Sequence, residues 1–480
     1  MRFSVILRYA GTVVIVLAAF MMVSATISFV SGDSGFYPLL LSSLLSLLLG
    51  GFPMIFVPRA VNITAKESFM IVVGSWLLSC VVGMFPYLIW GGEFTVINAW
   101  FESVSGFTTT GASILTDVEA LPQGLLFWRS VTNWIGGVGV VMFALLILPS
   151  MGTNKMALSG IELSSLAKDN FRYRTQTLVR ILLAIYVGLT ATFTVLLKLA
   201  GMSWFDAVNH AMAACATGGF STKNASVGFF NSQLIEWILM AAMFLSSIHF
   251  GLLFATLTRK SNNIFRSEVV RTYVLIILVA TVLIGLNLYS TGLYTDVWTS
   301  LRESSFQVVS LISTTGFATV NTNLWTPFAI TTLIIISIIC GCAGSTAGGV
   351  KVDRVLLYFK TLIARLRGQQ HPDAVIRIRL DGMLQEERQV NAVTLFITTY
   401  FALMILGTLI SSLFGMDLIT ALSTSVSCLG NVGPAFGDVG SLDNYAAIPS
   451  YLKFQNTILM LMGRLEIFGF IQFLFIRMWR

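Results

Sequence analysis

The chain has 480 residues, of which 56% are hydrophobic and only 11% are charged, and its formal net charge is +7. A soluble protein carries roughly 45–50% apolar and about 25% charged residues. The composition therefore excludes a conventional soluble enzyme, a disordered chain and a collagen-like repeat. It predicts an integral membrane protein with an all-α, polytopic fold.

Ten long apolar runs follow one another along the chain, each able to supply the about 20 residues of a spanning helix. They lie at about 5–30, 37–57, 69–91, 130–149, 178–201, 234–257, 273–290, 326–349, 390–415 and 454–476. The first run follows two arginines, but it is longer than the roughly 7–15 apolar residues of a signal peptide. We interpret it as a retained span, so the sequence predicts ten spans.

Four gaps between these runs contain a short semi-apolar segment that ends in a turn. The turns centre on Gly111, Gly219, Gly316 and Gly433, which are 108, 97 and 117 residues apart. One Thr-Thr-Gly carries no information in a chain with 40 glycines. Four such turns, each between two long runs, indicate an internal repeat.

The repeated turns suggest an ion pathway. Non-helical backbone at membrane depth is tolerated where it is buried in protein or lines a watery cavity, and rings of carbonyl oxygens can replace an ion's hydration shell. Glycine permits the required backbone conformations, and neighbouring hydroxyls can hold the turns. Without a carboxylate cluster, such a site favours a weakly held monovalent cation. The alternative is that the glycines only allow close helix packing.

The basic residues predict the orientation. With a cytoplasmic N-terminus, 23 of the 29 lysines and arginines fall in cytoplasmic loops, and Arg464 lies inside the last run. The five on the outer side are Arg129, Lys198, Lys223, Arg302 and Lys453. The positive-inside rule then places both termini in the cytoplasm. We interpret the basic loops as a topology signal; the alternative for the longest loop, 351–389, is docking of a cytoplasmic partner. Acidic lipid headgroups fit both interpretations, and nucleic acid binding is not needed.

The acids on the outer side have two interpretations. Most are interpreted as ordinary solvated loop charges, and the alternative is that they raise the local cation concentration at the pore mouth. These acids are Glu93, Glu102, Asp117, Asp206, Asp296, Asp417, Asp438 and Asp443.

The eighth run is interrupted by the small residues Gly341–Gly349. Each glycine lowers helix propensity by about 1 kcal/mol relative to alanine, so we predict a broken helix whose loop lies in the pore. A base inside a span is costly and is usually functional, so we hypothesise that Arg464 hydrogen-bonds carbonyls of this loop. The alternatives are close helix packing for the loop and a structural ion pair for Arg464. We interpret His249 as a hydrogen-bonded core residue rather than a proton relay.

At these motifs the sequence resembles the Trk/Ktr/HKT superfamily of potassium transporters, closest to the bacterial TrkH/TrkG type. The resemblance covers nearly the whole chain. The motifs that carry it are Ser105–Gly111, Gly136–Gly139, Ala216–Thr222, Ser313–Thr319, Gly341–Gly349, Cys428–Pro434 and Met462–Ile467. It implies four pseudo-fourfold membrane–pore–membrane repeats around one ion pore, plus two extra N-terminal transmembrane helices.

The resemblance also implies what the motifs do. The potassium-binding filter would consist of Thr109, Thr110, Gly111, Thr217, Gly218, Gly219, Thr314, Thr315, Gly316, Asn431, Val432 and Gly433. The gate would consist of Gly341, Cys342, Ala343, Gly344, Ser345, Thr346, Ala347, Gly348, Gly349, Lys351 and Arg464. The expected ion is K⁺, with no organic cofactor in this chain. The expected partners are membrane lipid, a second copy of the chain and a TrkA-like cytoplasmic nucleotide-binding subunit.

The predicted domains are an N-terminal helix pair, four pore repeats and a linker. Their bounds are 1–60 for the pair, 61–150, 175–260, 270–365 and 390–480 for the repeats, and 366–389 for the cytoplasmic linker. No nucleotide-binding glycine pattern or nucleophile–base set is present in the sequence, so we expect no enzyme. The expected location is a bacterial inner membrane. The open alternatives are a sodium-conducting or sodium/proton-coupled symporter of this fold, and a secondary transporter of another class, which predicts inverted repeats.

Overall fold

The computed structural model of the protein describes residues 2–58, 60, 63–147, 175–258, 263–373 and 376–475. The chain begins with two antiparallel helices, α1 (Phe3–Ser31) and α2 (Phe36–Phe56). They cross where Gly11 and Gly50 face each other, and a Cβ on either glycine would approach the other's carbonyl oxygen closer than 3.0 Å. Small residues at the crossing therefore permit the close packing of this pair.

A common order of elements then recurs four times: a long helix, a short helix, a turn and a further helix. The first unit has one extra helix before its short helix, and each of the other three has a second helix after the turn. The first unit contains α3 (Ala65–Gly83), α4 (Phe85–Trp90), α5 (Val96–Phe107) and α6 (Gln123–Ile147). The second contains α7 (Thr175–Leu199), α8 (Trp204–Cys215), α9 (Gln233–Ser246) and α10 (Phe250–Leu257). The third contains α11 (Glu268–Ser290), α12 (Val297–Ile312), α13 (Pro327–Ile339) and α14 (Val352–Gln370). The fourth contains α15 (Glu387–Leu413), α16 (Leu418–Gly430), α17 (Ser450–Arg464) and α18 (Ile467–Leu474).

Each short helix begins at a side-chain cap. Thr95, Ser203, Asp296 and Asp417 each accept a hydrogen bond from a backbone N–H in the first turn of the helix that follows. Such caps satisfy donors that the helix leaves unpaired. Asp296 and Asp417 therefore fix helix ends, a more specific role than that of a solvated loop charge.

Among the described residues, six helices are long and apolar enough to cross a membrane, or up to eight if each of two bent pairs is one span. The predicted runs at 234–257 and 454–476 are not straight helices, because α9 and α10 meet at 102° and α17 and α18 meet at 113°. The number of ten spans remains a prediction.

Between α14 and α15 lies a hairpin of two short strands, β1 (Arg379–Leu380) and β2 (Met383–Leu384). They pair antiparallel, with Arg379 opposite Leu384 and Leu380 opposite Met383. The predicted linker thus has structure of its own, a small departure from an all-α chain. Many of the basic residues behind the predicted orientation lie outside the described residues: Arg59, Lys155, Lys168, Arg172, Arg174, Arg259, Lys260, Arg477 and Arg480.

Candidate functional site

The four turns that follow the short helices share one backbone conformation. Two residues before each glycine, a non-glycine residue has positive φ: Thr109 (52°), Thr217 (53°), Thr314 (58°) and Asn431 (54°). The glycines themselves have φ of 80°, 72°, 79° and 101° for Gly111, Gly219, Gly316 and Gly433. Positive φ is rare outside glycine and is retained where the surroundings fix it. The similarity that the sequence predicts at these positions therefore extends to their conformation.

The four turns form a closed ring. A Cβ added to Gly111 would come closer than 3.0 Å to the carbonyl oxygen of Gly218, and one on Gly219 would meet that of Thr315 equally closely. In the same way Gly316 faces the carbonyl of Val432, and Gly433 faces the carbonyl of Thr110. Each glycine thus packs on the backbone of the next turn, and the fourth turn returns to the first. No side chain fits at these contacts.

The four glycines line one open cavity of about 730 Å³, which we call the vestibule. The turns beneath it are buried, including the residues that precede each glycine. Among the described residues, none donates a hydrogen bond to the backbone carbonyls of the buried residues Thr110, Gly218, Thr315 and Val432. Buried carbonyls are nearly always paired. Carbonyls arranged in a ring can coordinate a dehydrated cation in place of its hydration shell.

Hydrogen bonds among side-chain hydroxyls and one side-chain amide support the turns of the ring. Thr108 Oγ1 lies 2.8 Å from Thr110 Oγ1, and Ser313 Oγ lies 2.8 Å from Thr315 Oγ1. In the fourth turn Asn431 Nδ2 donates to Thr110 Oγ1 at 3.1 Å, which links the last turn to the first. These contacts agree with the supporting role predicted for the hydroxyls.

A buried ion pair lies behind the first two turns, and the sequence interpretation missed it. Glu102 in α5 and Arg129 in α6 are 0% and 2% exposed, and Arg129 Nε donates to Glu102 Oε1 at 2.7 Å. The prediction that both are outer loop charges is wrong. The sequence predicts an apolar run from residue 130, whereas α6 begins at Gln123. An earlier helix start would have placed Arg129 inside a span, where a charge is usually functional.

Two other units carry a related contact. Thr222 Oγ1 donates to Asp206 Oδ1 and Thr319 Oγ1 donates to Glu303 Oε2, both at 2.6 Å. In each case an acid of the short helix holds a hydroxyl just beyond the turn. Asp206 is therefore not a free loop charge. Lys453, predicted as an outer loop charge, is 4% exposed and donates to Asn98 Oδ1 at 2.9 Å.

At the rim of the vestibule, Asn224 joins the chain beyond the second turn to the chain beyond the first. Its Nδ2 donates to Asp117 Oδ1 at 2.8 Å, and its Oδ1 accepts from the Val118 N–H at 2.7 Å. The amide hydrogen bond is the main reason that the pKa of the Asp117 carboxyl is lowered from its ordinary value. The rim therefore keeps a negative charge above the ring over the neutral pH range.

On the opposite side of the ring, the helix is interrupted where the small residues predict it. α13 ends at Ile339 and α14 begins at Val352, with Cys340 and Lys351 at the loop ends at positive φ of 61° and 79°. The loop lies directly against the ring, because the Gly348 N–H donates to Thr314 Oγ1 at 3.0 Å. The predicted gate residues Gly341–Gly349 therefore lie next to the predicted filter.

The same loop fills the bend between α9 and α10. The Cys342 N–H donates to the Ser247 carbonyl at 2.9 Å, and the Phe250 N–H donates to the Gly344 carbonyl at 3.2 Å. Backbone groups that the bend leaves unpaired thus bind the loop. His249 Nδ1 accepts from the Gly251 N–H at 2.9 Å and caps α10, in agreement with a structural role.

Arg464 reaches the loop, as the sequence hypothesis requires. Its Nη1 donates to the Thr346 carbonyl at 2.8 Å, and its Nη2 donates to the Gly136 carbonyl in α6 at 2.9 Å. Next to it, Arg354 Nη2 donates to Glu466 Oε1 and Oε2 at 2.7 and 2.8 Å. This second pair was not predicted, since the two residues are 112 positions apart.

A second cavity, of about 500 Å³, lies against the loop, and we call it the loop-side cavity. Its lining includes Gly348, Lys351, Arg464 and Glu466. The Gly348 N–H binds Thr314 in the ring, and Gly348 also lines the loop-side cavity, so the loop contacts both the ring and this cavity.

Comparison with known proteins gives consistent matches over the whole chain. The family model described as TrkH, cation transport protein, matches residues 44–478. The Trk system potassium uptake protein TrkH of Salmonella typhimurium is 34% identical over 486 residues, covering 100% of both proteins. The Trk system potassium uptake protein TrkG of Escherichia coli K12 is 32% identical, covering 85% of this chain and 84% of TrkG. The crystal structure of the potassium transporter TrkH from Vibrio parahaemolyticus matches with a TM-score of 0.90 and 30% identity, covering 100% of both chains.

Proposed function

Because the chain belongs to the TrkH family of cation transport proteins, we propose that it takes up potassium through the ring of four glycine turns. This is a family of multi-pass membrane transporters and not of enzymes. The single observation that carries the proposal is the set of buried carbonyls in the ring that accept no hydrogen bond from the described residues. A dehydrated K⁺ would supply the missing partner.

The short helices support a cation at the same place. Each of them ends just before its turn, so four helix C-termini point toward the ring. A helix C-terminus carries about half a negative charge, which favours a cation nearby. The predicted filter, from Thr109–Gly111 to Asn431–Gly433, lies between these helix ends and the vestibule. The ring turns contain no carboxylate, so they would bind a cation weakly enough to release it.

We propose that the loop 341–349 is the gate. Support comes from its contact with both the ring and the loop-side cavity, and from its hydrogen bonds to Thr314 and Arg464. Positive φ at Cys340 and Lys351 concentrates backbone strain at the two ends of the loop. Strain at both ends favours a segment with two arrangements. The proposal assigns the present arrangement of the loop to the closed gate.

The remaining parts of the proposal follow the family. The protein would lie in a bacterial inner membrane with both termini cytoplasmic, as the basic loops indicate. It would span the membrane ten times, as an N-terminal pair and four pore repeats with the bounds predicted above. It would form a homodimer, contact lipid and be regulated by a TrkA-like cytoplasmic nucleotide-binding subunit.

The test is potassium uptake in cells that lack their own uptake systems, comparing wild type, Gly111→Ser and Gly292→Ser. Gly292 is the matched control, since its φ is also positive (75°) but no atom lies within 4 Å of a Cβ there. We expect wild type and Gly292→Ser to restore growth at low potassium and Gly111→Ser to fail. If well-expressed wild type does not restore growth, the proposal is wrong. Replacing K⁺ by Na⁺ in proteoliposome flux identifies the sodium alternative.

A further inference from the structure

The fourth turn departs from the other three at its glycine. Gly433 has φ of 101°, whereas the other three glycines lie between 72° and 80°. Gly433 is buried, whereas Gly111, Gly219 and Gly316 are partly exposed to the vestibule. The ring is therefore not fourfold symmetric in the layer that faces the vestibule.

A tyrosine accounts for this departure. Tyr445 lies in the chain beyond the fourth turn, and its hydroxyl donates to the Gly433 carbonyl at 3.0 Å. The corresponding carbonyls of Gly111, Gly219 and Gly316 accept no hydrogen bond from the described residues. One of the four glycine carbonyls thus already has a protein partner, while three are free.

Tyr445 is held firmly in this position. Its backbone N–H donates to the Ser113 carbonyl beyond the first turn at 2.8 Å. Its ring is 2% exposed and packs on Phe101 of α5 with a centroid distance of 5.3 Å. Because both anchors belong to the first unit, Tyr445 spans the junction between the fourth and first turns. The hydroxyl is therefore fixed on Gly433 and does not move freely in the vestibule.

We propose that Tyr445 is a positioning residue for ion specificity: it holds the Gly433 carbonyl and leaves a three-carbonyl layer at the vestibule end of the ring. This proposal rests on the proposed function. A carbonyl that accepts a hydroxyl proton offers less electron density to a cation, and a fixed carbonyl cannot follow an ion of different radius. The ion keeps a water molecule in the fourth place, so this layer binds K⁺ weakly and releases it quickly.

The test is Tyr445→Phe, which removes the hydroxyl and keeps the ring. Without the hydroxyl, the Gly433 carbonyl can bind the ion. The gain in binding free energy should be about that of one hydrogen bond, so KM for K⁺ uptake should fall about three- to tenfold. The maximal rate should fall with it, and the ratio of K⁺ to Na⁺ flux should change. Tyr445→Met, a second side chain without a donor, should change both quantities in the same direction if the phenylalanine variant folds poorly.

The matched control is Tyr186→Phe, which removes another buried hydroxyl, one that donates to the Trp134 carbonyl at 2.9 Å within the helices. It should leave KM and the flux ratio unchanged. Equal KM and equal flux ratio in wild type and the folded Tyr445 variants would overturn the proposal while leaving potassium uptake intact. A wild type that carries no K⁺ would overturn this proposal together with the proposed function.

Discussion

Arg129 donates from its Nε to Glu102 across 2.7 Å, and this buried pair connects the exits of the first two turns. The same guanidinium donates to Ser113 Oγ beyond the first turn and to the Ser221 carbonyl beyond the second, each at 3.1 Å. It also lies over the Phe220 ring at 4.1 Å from the centroid. The Arg129 guanidinium thus connects the chain beyond the first turn to the chain beyond the second.

Replacing Arg129 by Met should destabilise the protein strongly. The substitution leaves the Glu102 carboxylate buried without its cation, and breaking a buried pair costs about 3–5 kcal/mol. The thermal midpoint of the purified protein should fall accordingly. The control is Lys223→Met, which breaks a solvent-accessible pair with Glu119 at 3.7 Å and should cost about 0–1 kcal/mol. Equal losses in the two variants would contradict the structural role given to Arg129.

Replacing Arg464 by Gln should weaken the closed arrangement of the loop. It removes two charge-assisted hydrogen bonds, to Thr346 and Gly136, each worth about 1.5–3 kcal/mol. Basal ion flux in proteoliposomes should rise by about tenfold or more. Arg271→Gln is the control, because Arg271 Nε donates to the Phe265 carbonyl at 3.0 Å away from the loop. An unchanged basal flux in folded Arg464→Gln would refute the proposal that Arg464 holds the loop in its closed arrangement.

Replacing Glu466 by Gln should also destabilise the loop region, because it weakens the ion pair with Arg354. Arg354 holds both oxygens of Glu466, and the two side chains are only 12% and 17% exposed. Loss of the charge should lower the free energy of unfolding by about 1.5–3 kcal/mol and raise basal flux. The control Glu268→Gln affects a more exposed pair with Lys360 and should cost less than about 1 kcal/mol. If the two variants unfold alike, the Arg354–Glu466 pair does not stabilise the loop region.

Much of the site could be predicted because its determinants are local. The four turns are recognisable from glycine and hydroxyl residues at matching positions, and the loop from its run of small residues. Arg464 was recognisable as a base inside an apolar run, and the structure places it on the Thr346 carbonyl. Each of these signals needs only a few neighbouring residues, since backbone conformation and the cost of burying a charge are local properties.

The bends at 246–250 and 464–467 were not predictable in this way. Hydropathy averages over a window, so it does not register a break of a few residues that leaves the composition apolar. A bend leaves backbone groups without a partner in the helix, and groups from elsewhere in the chain can pair with them. The Cys342 N–H donates to the Ser247 carbonyl in this way. Two ion pairs were not predictable for a related reason, because their members lie 27 and 112 positions apart. They are Glu102–Arg129 and Arg354–Glu466.

The sequence by itself determined the membrane class, the family and the four turns, because apolar length and repeated glycine positions impose these with little help from distant contacts. Only the tertiary structure decided that the turns close into a ring, that one loop lies beneath it and that Tyr445 removes one carbonyl from the fourfold set. These features depend on contacts between residues that are 12, 34 and up to 321 positions apart. Such hydrogen bonds and steric contacts are set by packing, which the order of residues does not display.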